Sequence, residues 1–288
     1  MANLRDIRRR IKSVKNTAQI TKAMQMVAAS KMRKAQQAAI NGRDYAQLIN
    51  RVIVSLRDAV DPAAHPLLAR RDGGKELVLL FSTDKGLCGA LNTNLFREAL
   101  ALDPEKTVFV SVGRKGTQFL ARTQRKMLAD FPLHDRPNFL QTKQVSRFCI
   151  EKFLDGEVDK VTVLFPMFVN TLSQIPKAMP LLPLTSFEEI GLKNEYGEKD
   201  TFEGGIEFEP GANAVLDAIL PSYIHFAVYQ TLLGSRASEQ SARMVAMKSA
   251  TDNAKNLVKD LTLEYNKARQ ASITNEILEI STAQLALG

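Results

Sequence analysis

The sequence predicts an α/β chain of uneven build: a small open α/β sheet domain set between two very long terminal helices. Three observations predict it. Residues 1 to about 58 contain no proline and a single glycine. Residues from about 212 to 288 are equally helix-like, with one early proline and one glycine before the final residue. Between them, short continuous apolar runs alternate with helix-like stretches, the pattern of strands covered on both faces. At 1.5 Å per residue the terminal helices would reach roughly 80 Å and 110 Å. No small domain spans that distance, so they must pack on each other or on a partner, as a rod with a knob attached.

Each element follows in order. Leu4, Ile7, Ile11, Val14, Ala18 and Thr21 recur at the alternating three- and four-residue spacing of a coiled-coil seam. The register then slips, and Met24, Ala28, Met32, Ala35 and Ala39 carry it on with smaller side chains. Gly42, Tyr45, Ile49, Val52 and Leu56 resume the spacing, and Asp61-Pro62 ends the helix. Leu77–Phe81 reads as a buried parallel strand, followed by the turn-rich loop Ser82–Gly89 and a helix from about Asn92 to Ala101. Thr107–Val112 reads as a second strand, with Gly113–Gly116 as the turn into a second helix. A third helix is expected over 138–155 and a third strand over Val161–Phe165. Lys177–Leu184, with prolines at both ends, is expected as an edge strand. Residues 191–205 read as a loop. The final helix is expected from about Ala212, kinked or restarted at Pro221. Farther along it, Met247, Thr251, Ala254, Val258, Leu261, Tyr265, Ala268 and Ser272 hold a strict seam of mixed size and polarity. The organisation expected is thus 1–60, an N-terminal shaft helix; 61–211, a central α/β domain; and 212–288, a C-terminal shaft helix.

Charge narrows the partners. The net charge is +8, and residues 1–58 carry 13 Lys/Arg against 3 Asp/Glu, whereas 212–288 balance at 7 against 7. A basic rod implies an acidic partner: nucleic acid, anionic lipid or an acidic protein surface. No aromatic side chain interrupts the basic face from Arg5 to Lys34, so it lacks a stacking platform for bases. Cys88 and Cys149 form neither a disulfide framework nor a metal-ligand spacing, in keeping with a reducing compartment. No apolar run is long enough to span a bilayer, and no signal-peptide core stands at the N-terminus. Asp6 and the regular period from Leu4 onward argue against a transit peptide, so this segment is read as mature structure.

The candidate sites are sparse. Ser82–Gly89 follows a strand and precedes a helix, where phosphates bind in α/β proteins. It lacks the glycine patterns of a dinucleotide fold or a P-loop, and the plainer reading is a tight connection that needs Gly86 and Gly89 for backbone freedom, with Cys88 structural. Gly113-Arg-Lys-Gly116 matches the short loop of a KH module, but a simple turn is the plainer reading. His65, His134 and His225 stand apart from one another and from any metal-ligand or catalytic pattern. No catalytic residue, cofactor site or metal site is expected.

The run Ile20-Thr-Lys-Ala-Met-Gln-Met-Val-Ala-Ala-Ser-Lys-Met-Arg-Lys34 resembles the N-terminal signature of the rotary, F-type ATP synthase gamma subunit. So do Glu239-Gln-Ser-Ala-Arg-Met-Val-Ala-Met-Lys-Ser-Ala-Thr-Asp-Asn253 and Tyr265-Asn-Lys-Ala-Arg-Gln-Ala-Ser-Ile-Thr-Asn-Glu276. Ser82-Thr-Asp-Lys-Gly-Leu-Cys-Gly-Ala-Leu-Asn92 is similar to that family too, and the likeness covers the whole chain in the family's order.

The resemblance implies an antiparallel coiled coil of the two termini beside an α/β domain. It implies a shaft inside three alpha and three beta subunits, with its foot on the membrane c-ring beside the epsilon subunit. It implies a peripheral place on the cytoplasmic face of a bacterial inner membrane, with no insertion into the bilayer. Met24 and Arg243 match residues near an acidic loop of a beta subunit. Arg269, Gln270 and Thr274 match an upper polar catch on the same partner. Phe208 and Glu209 match the foot that meets the rotor ring and epsilon. Gln25 stands where many relatives carry glutamate, and the cysteine-bearing insert of the plastid type is missing, so thiol switching is not expected. Two rivals remain at this point: a basic coiled-coil nucleic-acid-binding protein, and a small Rossmann-like enzyme with helical arms.

Overall fold

A computed structural model describes residues 4–56, 65–71, 73–132, 137–184 and 208–287. The helix end expected at Asp61-Pro62, His134, and the loop expected over 191–205 fall outside these. The order is α1 (Leu4–Asn41), α2 (Arg43–Leu56), β1 (Glu76–Phe81), α3 (Leu91–Ala101), β2 (Thr107–Val112), α4 (Arg114–Arg122), β3 (Met127–Phe131), α5 (Phe139–Leu154), β4 (Lys160–Phe168), β5 (Gln174–Leu182) and α6 (Ala212–Leu287). The chain divides into two compact units, Met1–Ala29 with Arg243–Gly288, and Ser30–Ala242.

The larger unit is built on a five-stranded sheet in the order β3-β2-β1-β4-β5. The first four strands are parallel, and β5 returns antiparallel beside β4. Alternate side chains of β1 face opposite layers. Leu77, Leu79 and Phe81 join Val110, Val161 and Val163 under α2, α5 and α6, with Ile53, Phe153, Leu216, Leu220 and Ile224 in the same core. Val78 and Leu80 join Phe109 and Leu164 under α3 and α4, with Leu95 and Phe119. Phe96 and Phe119 tie those two helices by stacking, with ring centroids 4.2 Å apart. Each large side chain so buried is worth roughly 1.5–3 kcal/mol. The start of α5 is set by a capping box between Asn138 and Gln141.

The structure departs from the sequence reading at three places. Thr107–Val112 stands as read, but Met127–Phe131 is an additional edge strand. Four of its five residues are only partly buried and Asp130 is exposed, so no buried apolar run marks it. The N-terminal helix is interrupted at Gly42, read above as a seam position. A Cβ there would stand 1.7 Å from the Gln230 amide nitrogen, so the glycine marks a close approach to α6. Third, of the kink or restart expected at Pro221 the restart does not occur, since α6 runs through it as one helix. Leu216, Leu220, Tyr223 and Ile224 anchor both sides of the proline on the core. The lost donor belongs to the carbonyl of Asp217, on the solvent side of the helix.

The smaller unit is a pair of helical segments. The Arg8 guanidinium donates to the Tyr265 hydroxyl at 2.8 Å, and the Thr21 and Thr251 hydroxyls share a hydrogen bond of 2.7 Å. Thirteen residues forward along α1, the partner falls fourteen back along α6, which is an antiparallel register. The seam positions read from the sequence are the buried ones. Ile7, Thr21 and Ala28 face Met247, Thr251, Ala254 and Leu261, flanked by half-buried Ile11, Val14, Val258 and Tyr265.

Candidate partner-contact surfaces and the switch-point crevice

In an open sheet of this order the ligand crevice lies beyond the carboxyl ends of the strands where the winding reverses, here between β1 and β4. The loop after β1 is Ser82–Gly89, the segment singled out above, and Gly113–Gly116 lies beside it at the end of β2. These two motifs bond each other. The Gly116 amide donates to Ser82 Oγ at 2.7 Å, the Lys115 amide to the Thr83 carbonyl at 3.0 Å, and the Arg114 amide to Asp84 Oδ1 at 3.1 Å. A helix start attracts anions through its free amides. At α4 the chain's own Asp84 carboxylate and Ser82 hydroxyl take that place. Gly113 has φ 101°, and a Cβ there would meet the Ser82 carbonyl oxygen at 2.3 Å, so only glycine allows the approach.

Asn92 closes the first loop. Its amide donates to Thr83 Oγ1 at 2.7 Å and to the Cys88 sulfur at 3.6 Å, while Thr83 Oγ1 donates to the Lys85 carbonyl. Leu87 and Gly89 both adopt φ 61°, and Cys88 is buried. Gly89 adopts the left-handed φ that favours glycine, whereas Gly86 has no positive φ and an added Cβ there would meet no atom within 4 Å.

The crevice itself receives α6. Arg236 donates from Nη2 to Asp84 Oδ2 at 3.0 Å and from Nη1 to Glu239 Oε2 at 2.7 Å. The three side chains are 6%, 12% and 6% exposed. Burial works against the Arg236 charge, but Glu239 and Asp84 outweigh it and hold the guanidinium above its ordinary value. Removing one member of such a buried set typically costs about 3–5 kcal/mol. On the other flank, Ser241 Oγ donates to the Thr171 carbonyl, in the turn after β4, at 2.9 Å. These residues escaped the sequence reading because charged and hydroxyl side chains on a helix ordinarily face water. The available signal was that no large apolar residue interrupts Ser235–Ala242.

His65, His225 and Cys149 are held inside the larger unit. His65 accepts from the Leu67 amide at Nδ1 and faces Asp217 from Nε2 at 3.1 Å; burial lowers its pKa against the pull of Asp217. His225 shares a 2.7 Å hydrogen bond with Ser146 Oγ, and burial, with Lys143 and Arg147 nearby, lowers it to about 4. Burial pushes the Cys149 thiol up to about 12. Among the described residues no group of histidine, cysteine and carboxylates stands ready for a metal, and no helix is long and apolar enough to cross a membrane.

The residues expected from the sequence to meet partners divide into groups. Met24 is half-buried at the rim of the α1 seam. At 100° per residue it falls roughly 40° around the helix from Ile20 and 60° from Val27, both exposed. Arg243 is buried. By the antiparallel register it lies level with about Ala29, roughly one and a half helical turns from Met24 along the pair. Arg269, Gln270 and Thr274 are exposed together within two turns of α6, and the Thr274 hydroxyl donates to the Gln270 carbonyl at 2.9 Å. Beyond Ser272 the described side chains of α6 are exposed as far as 284, including Ile273, Ile277, Leu278 and Ile280. By the same register Leu4, the first described residue of α1, falls level with about residue 268. In the larger unit, Phe208 is half-buried against the main core and Glu209 is exposed.

The sequence model of a family described as ATP synthase matches residues 3–287. The ATP synthase gamma chain of Opitutus terrae is 52% identical over 99% of this chain and 99% of its own length. That of Methylacidiphilum infernorum is 51% identical over the full length of both. A chain of the central stalk and c-ring structure of the Tetrahymena thermophila mitochondrial ATP synthase superposes with a TM-score of 0.60 at 28% identity, covering 80% of this chain and 99% of that one. A chain of the Euglena gracilis mitochondrial ATP synthase rotor shares the fold, with a TM-score of 0.66 at 22% identity over 94% and 98%.

Proposed function

From the premise that this chain belongs to the ATP synthase gamma-chain family, we propose that it is the central rotor shaft of a proton-translocating ATP synthase. It couples ion-driven rotation to conformational change at catalytic sites on the beta subunits and contributes no catalytic group itself. Its partners are three alpha and three beta subunits, the epsilon subunit and the membrane c-ring. It is peripheral, on the cytoplasmic face of a bacterial inner membrane. Residues 1–60 and 212–288 are assigned to the shaft and 61–211 to the central α/β domain. The chain takes no cofactor.

The observation that carries the reading is the exposed apolar end of α6 from Ile273 to Ile280. A helix that leaves such residues bare in the single chain needs a sleeve around it. The basic face of α1 supplies the charge complement for acidic loops of that sleeve. Rotation then acts by differential contact. Each beta subunit meets a different face of an asymmetric shaft, and each face favours one conformation of that subunit. Met24 and Arg243 meet an acidic beta loop at mid-shaft; Arg269, Gln270 and Thr274 form the upper catch. Phe208, seated on the core, stiffens the foot, while Glu209 is free to face the ring and epsilon.

The self-filled crevice argues against a nucleotide enzyme, and the comparisons lend no support to the nucleic-acid alternative. The test is a pull-down with the tagged chain from its own cell. Recovery of alpha and beta subunits with ATPase activity supports the reading. Recovery of the chain without them, together with DNA binding tighter than that of any basic protein at matched salt, overturns it.

A further inference from the structure

We propose that the switch-point crevice, the ligand position of sheets with this topology, is here a clamp that fixes the rotational setting of α6, with Arg236 as its positioning residue. The proposal rests on the rotor reading. Before the crevice, α6 is seated by shape, through Leu216, Leu220, Ile224, Val228 and Leu232 in the main core. At the crevice the buried side chains are no longer large and apolar: beside Arg236, Glu239 and Gln240 stand only the small Ser235, Ala237, Ser238 and Ser241. Helices resist turning against a neighbour through ridges set into grooves. Serine and alanine offer little ridge, so this part of the seat would be smooth on shape alone.

Directional bonds take over there. Arg236 reaches Asp84 on the loop after β1, and the second oxygen of the same carboxylate holds the Arg114 amide at the start of α4. Glu239, one turn farther along α6, takes the other arm of the guanidinium. Ser241 grips the Thr171 carbonyl on the opposite flank. Turning α6 by one residue is a rotation of roughly 100°. It would pull the guanidinium from Asp84 and strand opposite charges in a dry site. The clamp is therefore engaged or broken, with no graded slip between. A shaft that carries twist needs a seat of this kind, and the bridge from β1 and α4 to α6 supplies it.

The experiment uses the whole ATP synthase in proteoliposomes, with the triple variant Arg236→Met, Asp84→Asn, Glu239→Gln. This variant removes the three charges together and keeps an oxygen for the Arg114 amide. Proton pumping per ATP hydrolysed is read with and without an opposing membrane potential, alongside the melting temperature of the complex. The expected result is unchanged assembly, melting and unloaded hydrolysis, with the pumping ratio under opposing potential lower by about two-fold or more. Arg236→Lys, which keeps the charge but not the two-armed bridge, should fall between. An unchanged ratio under load overturns the clamp. So does a ratio that falls equally with and without load, or only in step with melting, because either marks a structural role alone. Failure of the rotor reading is separate: it would appear as absence of coupled pumping in the wild-type complex.

Discussion

Asp84 accepts hydrogen bonds from a helix start and from a buried arginine with its two oxygens, which explains why an aspartate can sit in a glycine-rich turn and yet be structural. His225 shows the same economy of function. It is buried, neutral and bonded to Ser146, with its pKa depressed from 6.5 to about 4. The unfolded chain therefore binds this proton more readily than the folded one. The stability contributed is fully present above pH 6.5 and is lost as pH falls toward about 4. The isolated chain should thus lose urea stability across that window, and His225→Gln should flatten the slope there while leaving the neighbouring carboxylate transitions below it. An unchanged slope in the variant would remove His225 as the source. Asn138→Ala should lower stability by about 1 kcal/mol through loss of the α5 cap, read as a lower urea midpoint at constant m-value.

Whole elements were legible where one physical signal governs them. The strict seam from Met247 to Ser272 is the buried face of α6, because a 3.5-residue apolar repeat has few other uses. The parallel strands β1 and β2 were legible because both faces are covered, and β5 because prolines, which lack an N–H, are confined to edge strands. By contrast β3 was invisible, since Met127–Phe131 pairs on one side only and mixes polar with apolar residues. The interruption at Gly42 was hidden because a seam position and a close helix approach call for the same small residue. The Arg236 bridge was hidden because burial of a charge depends on partners more than 150 positions away, here Asp84. Element-scale exchange should reflect the same division. In the isolated chain, amides of 265–287 should exchange quickly while those of Leu77–Phe81 are strongly protected; equal protection in a verified monomer would contradict an uncovered α6 end. In the assembled enzyme, Arg269→Ala with Gln270→Ala should leave nucleotide affinity near normal but lower steady-state ATPase and synthesis rates. The bonds lost to a charged partner are worth roughly 1.5–3 kcal/mol each. Wild-type turnover in that variant would exclude the catch.

At the scale of the molecule, one continuous helix takes part in both compact units, so α6 belongs to the sheet's core at Leu216 and to the coiled coil at Leu261. Met24 tests the link between rotation and chemistry. Its place beside exposed Ile20 and Val27 means that Met24→Lys adds a cation at the rim of an already basic helix. Too strong an attraction to an acidic beta loop at one angle acts as a brake. Hydrolysis should persist while protons pumped per ATP fall; an unchanged ratio would place Met24 elsewhere. The bare isoleucines beyond Ser272 have a consequence for the life of the protein before assembly. On the shaft reading proposed above, a newly made copy without its sleeve presents Ile273, Ile277 and Ile280 as an adhesive strip, with Leu278 off to one side, the kind of surface that holdase chaperones retain and proteases survey. On that reading supply of this subunit would be policed by its own end: surplus copies would advertise themselves until enclosed, and enclosure would cancel the signal.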